Sequence, residues 1–150
     1  MAGENAASSA ARAGAWTAAV LWTVLVLAAS GEAFSAANTR GWVYEIWSWL
    51  GVSRAEVAPF LFWTRKAAHV VEYAILGALA LRALHGVRLG ITSASLCALL
   101  WAFTVALGDE TNQAQLASRT GSATDVALDV AGAAVAIALT ARVLSARKSA

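Results

Sequence analysis

The sequence predicts an all-α polytopic membrane protein with four transmembrane helices and an interfacial helix in the first outer loop. Three observations carry that reading. Of the 150 residues, 59% are hydrophobic and only 13% charged, about half the charge of an average soluble domain. Mean hydropathy is +0.63. Four apolar stretches are each long enough for the ~20 helical residues that cross a hydrocarbon core, and in lipid such stretches satisfy their backbone only as helices. The length accommodates one domain: residues 1–12 read as a polar, disordered tail, 13–142 as the four-helix domain, and 143–150 as a basic cytoplasmic tail.

The first span runs from Gly14 to Gly31 without a charge. A signal peptide is the rival reading, since Ala28-Ala29-Ser30 offers the small residues a cleavage site prefers. A single preceding base close to the span, Arg12, and the length of the apolar run favour an uncleaved helix. Residues 32–64 interleave Trp42, Tyr44, Trp47, Trp49 and Trp63 with Arg40, Glu45, Arg54 and Glu56. Trp and Tyr favour the headgroup level, and Trp42, Ile46, Trp49 and Leu50 fall near one face of a short helix, which reads as interfacial. The same aromatics would also suit gripping a lipid or glycan.

The second span runs from about Lys66 to Leu84 and the third from Leu89 to Gly108, joined by a turn around His85-Gly86 into an antiparallel hairpin. The fourth covers Ala123 to Ala141. Small residues four apart, Ala74 with Ala78 and Gly132 with Ala136, favour close helix approach. Ala-rich and Gly-rich faces of this kind would equally serve a homo-oligomer. The lone Cys97 excludes an intrachain disulfide and reads as a buried small hydrophobe.

Four spans put both termini and the 82–88 turn on one side. Those segments carry Arg12, Arg82, Arg88, Arg142, Arg147 and Lys148 against Glu4. The other side mixes Arg40, Arg54, Arg65, Lys66 and Arg119 with Glu32, Glu45, Glu56, Asp109 and Glu110. Bases next to helix ends favour cytoplasmic termini in the plasma membrane. The net charge of +2 is scattered and gives no footprint for nucleic acid.

Five ionisable residues lie inside apolar stretches: Lys66, His69 and Glu72 in the second, Asp125 and Asp129 in the fourth. Each costs about 2.5–3.5 kcal/mol at the centre of a span on insertion scales, so a use for them is expected. Lys66, His69, Glu72 and Tyr73 share a helix face by their three- and four-residue spacing. Asp125 and Asp129 share another, and Asp109 and Gln113 share a third if helix continues past Gly108. The topology brings all of them to the outer end, with Arg119 on the loop above.

Several chemistries suit that set. Lysine and arginine bind phosphate. Histidine beside a carboxylate transfers protons near neutral pH. Crowded carboxylates do not all ionise readily, which leaves a proton to donate. Carboxylates with an imidazole also hold a divalent cation such as Mg²⁺, with Asp129 the leading ligand alongside Asp109 and Asp125. The structural alternatives are a snorkelling Lys66, a packing Tyr73, an N-capping Asp125 and buried pairs that fix register, Lys66 with Glu72 or His69 with Asp129. Asp109 and Glu110 oppose the helix dipole at a C-terminus, so other groups must hold them.

The segments RKAAHVVEYAILGALALRAL and GDETNQAQLASRTGSATDVALDVAGAAVA resemble the VanZ-like family of small bacterial membrane proteins. Its pattern of Lys, His and Glu-Tyr, then Asp-Glu-x-x-Gln, then Arg and a D-x-x-x-[DN]-x-x-G element matches Lys66, His69, Glu72, Tyr73, Asp109, Glu110, Gln113, Arg119, Asp125, Asp129 and Gly132 in order. The likeness covers about residues 14–140. Family members carry Asp or Asn where this chain has Asp129, so the resemblance does not require a carboxylate there. It implies a place in the cell envelope and a link to resistance to the glycopeptide teicoplanin, but no particular reaction.

The leading expectation is therefore a membrane-embedded enzyme acting on a phosphate-bearing lipid or lipid-linked envelope precursor. Lys66 and Arg119 hold the phosphate, and Tyr73 and Gln113 bind substrate with them. His69, oriented by Glu72 or Asp125, transfers the proton. Asp109, Glu110 and Asp129 activate water or hold the cation. The alternatives are a non-catalytic binder of glycopeptide or precursor headgroups, and a proton-coupled transporter. The charge-free third span argues against the transporter.

Overall fold

A computed structural model describes residues 2–31, 36–87, 89–115 and 122–149, with the side chains of 2–8, 36–40, 42, 148 and 149 left aside. The chain forms α1 (Ala2–Ala29), α2 (Ala36–Trp49), α3 (Arg54–His85), α4 (Ile91–Ala114) and α5 (Ala123–Ser149). The four long helices each contain a segment apolar and long enough to cross a membrane. The short α2 occupies the first connection. Among the described residues there is no strand, and the all-α polytopic class holds.

Helix α1 begins at Ala2, inside the segment expected to be a disordered tail. Alanines at 2, 6, 7, 10 and 11 explain it, since alanine has the strongest helix propensity. Between α2 and α3 the chain turns on Gly51, whose φ of +75° suits a residue without Cβ. Gly51 N–H donates to Ser48 O at 3.1 Å and Val52 N–H to Trp47 O at 3.1 Å, the paired bonds of a Schellman cap.

Helix α3 starts twelve residues before the expected Lys66 because Ser53 caps it. Its hydroxyl accepts from Glu56 N–H at 3.4 Å, while Glu56 Oε2 accepts from Ser53 N–H at 2.9 Å. This reciprocal box satisfies two donors that a helix start otherwise leaves open. The early turns of α3 pair with α2 through Trp47 and Phe60, 6.4 Å between ring centroids, and through Arg54, 5.4 Å from the Tyr44 ring. Ile46, Trp49, Leu50, Phe60 and Trp63 are exposed.

Helix α3 packs on α1, α4 and α5. Its closest approach is to α5. A Cβ on Gly132 would lie 2.8 Å from Val70 O, and one on Gly77 would lie 2.9 Å from Ala133 O. Of the expected small-residue pairs, Gly132 serves this approach. On α3, Val70 meets Gly132 and Gly77 meets Ala133.

Two core clusters follow. One holds Val26, Tyr73, Leu76, Ala102, Val105, Ala106 and Ala133, and the other Ala80, Leu81, Ala94, Ala98 and Ile137. Cys97, expected to be buried, is exposed. The inward stripe of α4 is Ala94, Ala98 and Ala102 at four-residue spacing, all fully buried, and residue 97 falls off that stripe.

Helix α4 continues past Gly108 to Ala114, so Asp109, Glu110 and Gln113 are helical and buried. Ser30, at the end of α1, donates to Asp109 O at 3.2 Å and accepts from Asn112 Nδ2 at 3.1 Å. The ends of α1 and α4, the start of α5 and the first half of α3 therefore meet at one end of the bundle.

Candidate functional site

Three helices supply the site. From α3 come Arg65, Lys66, His69 and Tyr73, and from α4 come Asp109 and Gln113. Helix α5 adds Asp125 and Asp129. Helices α3 and α5 run in the same direction, so pairs between them keep a near-constant offset. Lys66 Nζ pairs with Asp125 Oδ1. One turn deeper, His69 Nδ1 lies 3.4 Å from Asp129 Oδ2, and deeper still Val70 and Gly132 bring the backbones together. The close backbone approach is what allows these short side chains to meet.

Asp109 enters from α4 between them. Its Oδ2 is 4.0 Å from His69 Nδ1 and accepts from the Tyr73 hydroxyl at 3.3 Å. Its Oδ1 accepts from Gln113 Nε2 at 2.8 Å, a bond across one helical turn. Gln113 Oε1 in turn accepts from Arg65 Nη2 at 2.9 Å. A relay thus runs from Arg65 through Gln113 and Asp109 to Tyr73 and His69. These partners offset the burial of an acid that lies more than a turn before the end of α4. Tyr73 and Asp129 are completely buried and Gln113 and Asp109 nearly so.

The expected residues do not all join this centre. Asp125 faces Lys66, so the carboxylate that orients His69 is Asp129, not Glu72 or Asp125. Glu72 is half-buried, and its backbone carbonyl accepts from Trp22 Nε1 at 2.9 Å, which ties α1 to α3. Glu110 Oε2 accepts from Ser122 N–H at 2.6 Å, tying the end of α4 to the start of α5. Lys66 Nζ also lies 5.5 Å from the Phe62 ring. Arg119 lies outside the described residues.

Arg65 counts in the sequence only as a flanking charge, although it stands four residues before His69 and therefore on its face. Ser30, Asn112 and Ser122 carry no sequence signal stronger than that of any loop or helix-end polar residue.

Two buried carboxylate oxygens lack a hydrogen-bond partner among the described residues, Asp129 Oδ1 and Glu110 Oε1. Ligand atoms of His69, Asp109 and Asp129 all lie within 4.8 Å of one another, close enough to share one ion. Asp125, engaged by Lys66, is not in that set. Chemically, the arrangement offers a cation at the mouth, an imidazole flanked by two carboxylates below it, and a buried phenol.

A family model described as VanZ/LLP1 matches residues 14–144. No curated protein and no solved structure matches the chain.

Proposed function

The chain belongs to the VanZ/LLP1 family, and from that premise we propose that it acts at the outer leaflet of the plasma membrane on a phosphate-bearing lipid or lipid-linked envelope precursor. Lys66, together with Arg119, holds the phosphate. The cluster of His69, Asp129 and Asp109 activates the attacking water by taking its proton. The water oxygen adds to phosphorus as the bond to the leaving oxygen breaks, and that oxygen takes up a proton. Tyr73 and Gln113 hold Asp109 in place for this work. The termini lie in the cytoplasm, which puts the polar end of the bundle outside.

One observation carries the reading: His69, Asp109 and Asp129 from three helices come within 3.4 and 4.0 Å in a buried setting. Buried polar groups at this depth are expensive and mark functional sites by default. The phosphate assignment rests on the adjoining Lys66 and on the mixed charge of the mouth. Purified protein is incubated with labelled envelope lipid phosphates, beside His69→Ala. Turnover by the wild type that the variant loses supports the reading, and equal traces from both remove the enzyme.

The exposed aromatics favour a second reading, a binder of glycopeptide or precursor headgroups. Trp49 is 93% and Trp63 69% exposed. In that case Trp49→Ala abolishes any protection against teicoplanin while His69→Gln preserves it.

A further inference from the structure

We propose that His69, Asp109 and Asp129 form a binding site for one divalent cation of the Mn²⁺ or Zn²⁺ class. The inference deepens the reading above and rests on it only for what the ion does to a phosphate.

Charge balance is the first support. Lys66 is taken by Asp125, and Arg65 donates to the neutral Gln113. Among the described residues, neither Asp109 nor Asp129 has a lysine or arginine within ion-pair distance. Two buried carboxylates among the described residues therefore face one imidazole, and with both ionised even a charged imidazole leaves these three side chains one negative charge in excess. Buried charge is retained when it is paired or coordinates a metal. A divalent ion with neutral histidine brings the three side chains to zero net charge.

Geometry is the second. Ligand atoms held about 2.0–2.2 Å from one ion, the range for imidazole nitrogen and carboxylate oxygen, lie roughly 3–4.4 Å apart by simple trigonometry. The separations of His69 Nδ1 from Asp129 Oδ2 and from Asp109 Oδ2, 3.4 and 4.0 Å, lie in that range.

The third support is independent of the cluster's composition. Asp129 is fully inaccessible, yet its Oδ1, on the carboxylate that faces His69, has no hydrogen-bond partner among the described residues. An orphaned acceptor of this kind costs about 1–3 kcal/mol, more when charged, and an ion chelated by both Asp129 oxygens, Oδ1 as well as the Oδ2 that faces His69, removes that cost.

A second shell is already in place. Gln113 fixes one oxygen of Asp109 and Tyr73 the other, as outer partners orient metal ligands. One nitrogen and two carboxylates match borderline divalent ions better than soft ones. Three protein ligands leave open positions for water or a phosphate oxygen, as catalytic sites do.

The test reads binding without turnover. Full-length protein in detergent is stripped with chelator, titrated with Mn²⁺ and followed by electron paramagnetic resonance. The expected result is about one Mn²⁺ per chain, with spin-echo modulation from a directly bound imidazole nitrogen. His69→Gln removes that modulation. Asp109→Ala and Asp129→Ala abolish tight binding, and Tyr73→Phe weakens it about 10–100-fold. Glu45→Gln, on exposed α2, leaves it unchanged. Far-ultraviolet circular dichroism confirms that each variant is folded, and Tyr73→Phe keeps the test decisive if a ligand variant is not.

Absence of stoichiometric Mn²⁺ or Zn²⁺ binding in folded wild type overturns the proposal, as does imidazole modulation that survives His69→Gln. Turnover by rigorously metal-free protein refutes the ion's part and leaves the lipid-phosphate reading standing. Stoichiometric binding without turnover of any envelope lipid supports the site and refutes that reading instead.

Discussion

Asp109 shows how much one residue in a bilayer must have done for it. It sits more than a turn before the end of α4 and is almost fully buried, where an unpaired carboxylate is costly. Gln113, Tyr73 and His69 compensate. The neighbouring Lys66–Asp125 pair follows the same logic nearer the surface. Breaking such a pair leaves an uncompensated charge, whereas replacing both partners removes the problem. Lys66→Met alone is therefore expected to lower thermal stability more than Lys66→Met with Asp125→Leu. A double variant less stable than the single one would contradict the pairing. Arg65→Ala, which frees the Gln113 carbonyl, is expected to destabilise by about 1–3 kcal/mol, measured by reversible unfolding in detergent.

Among elements, the α3–α5 crossing sets the site's register. The face of Lys66, His69 and Tyr73 is legible from spacing alone, and so is the shared face of Asp125 and Asp129. Which acid meets which base is not legible, because spacing fixes a helix's own face but not its rotation and height against a neighbour. Those are set where Gly132 meets Val70 and Gly77 meets Ala133. The sequence offers Glu72 or Asp125 to orient His69 and, as a register-fixing pair, His69 with Asp129; the crossing selects Asp129.

Helix ends were harder to read still. Whether helix continues past Gly108 is not legible, because Tyr73 and Ser122, which satisfy Asp109 and Glu110, come from elsewhere in the chain. The start of α3 depends on the Ser53–Glu56 box, which lies ten to thirteen residues before the expected Lys66.

Overpacking a tight core costs about 1–3 kcal/mol or more. Gly132→Leu should exceed that range, because its Cβ would meet a carbonyl oxygen at 2.8 Å. It should also uncouple Lys66 from Asp125 and His69 from Asp129 together. Gly90, whose added Cβ meets nothing within 4 Å, should tolerate alanine. Equal melting temperatures for Gly132→Leu and Gly90→Ala would remove the crossing from its controlling position.

At the scale of the whole molecule, the polar groups concentrate at one end. The other end of the bundle closes on Ala80, Leu81, Ala94, Ala98 and Ile137. A path for protons or solutes across the membrane would need polar groups along its length, and the lower core supplies none among these residues. The proposed orientation predicts that a fluorescent protein fused after Ala150 lights up in the cytoplasm. It also predicts that a cysteine at Glu45, placed in a Cys97→Ala background, reacts with an impermeant thiol reagent from outside. Labelling of residue 45 only after the membrane is opened would invert the topology.

All of this depends on His69 and Asp129 acting as one unit across two helices. The most direct measurement is a double-mutant cycle, with His69→Ala, Asp129→Ala and their combination compared by reversible unfolding in detergent. Contact predicts a coupling of about 0.5–3 kcal/mol between the two substitutions. Effects that simply add, within about 0.3–0.5 kcal/mol, would mean that the two side chains do not share a site.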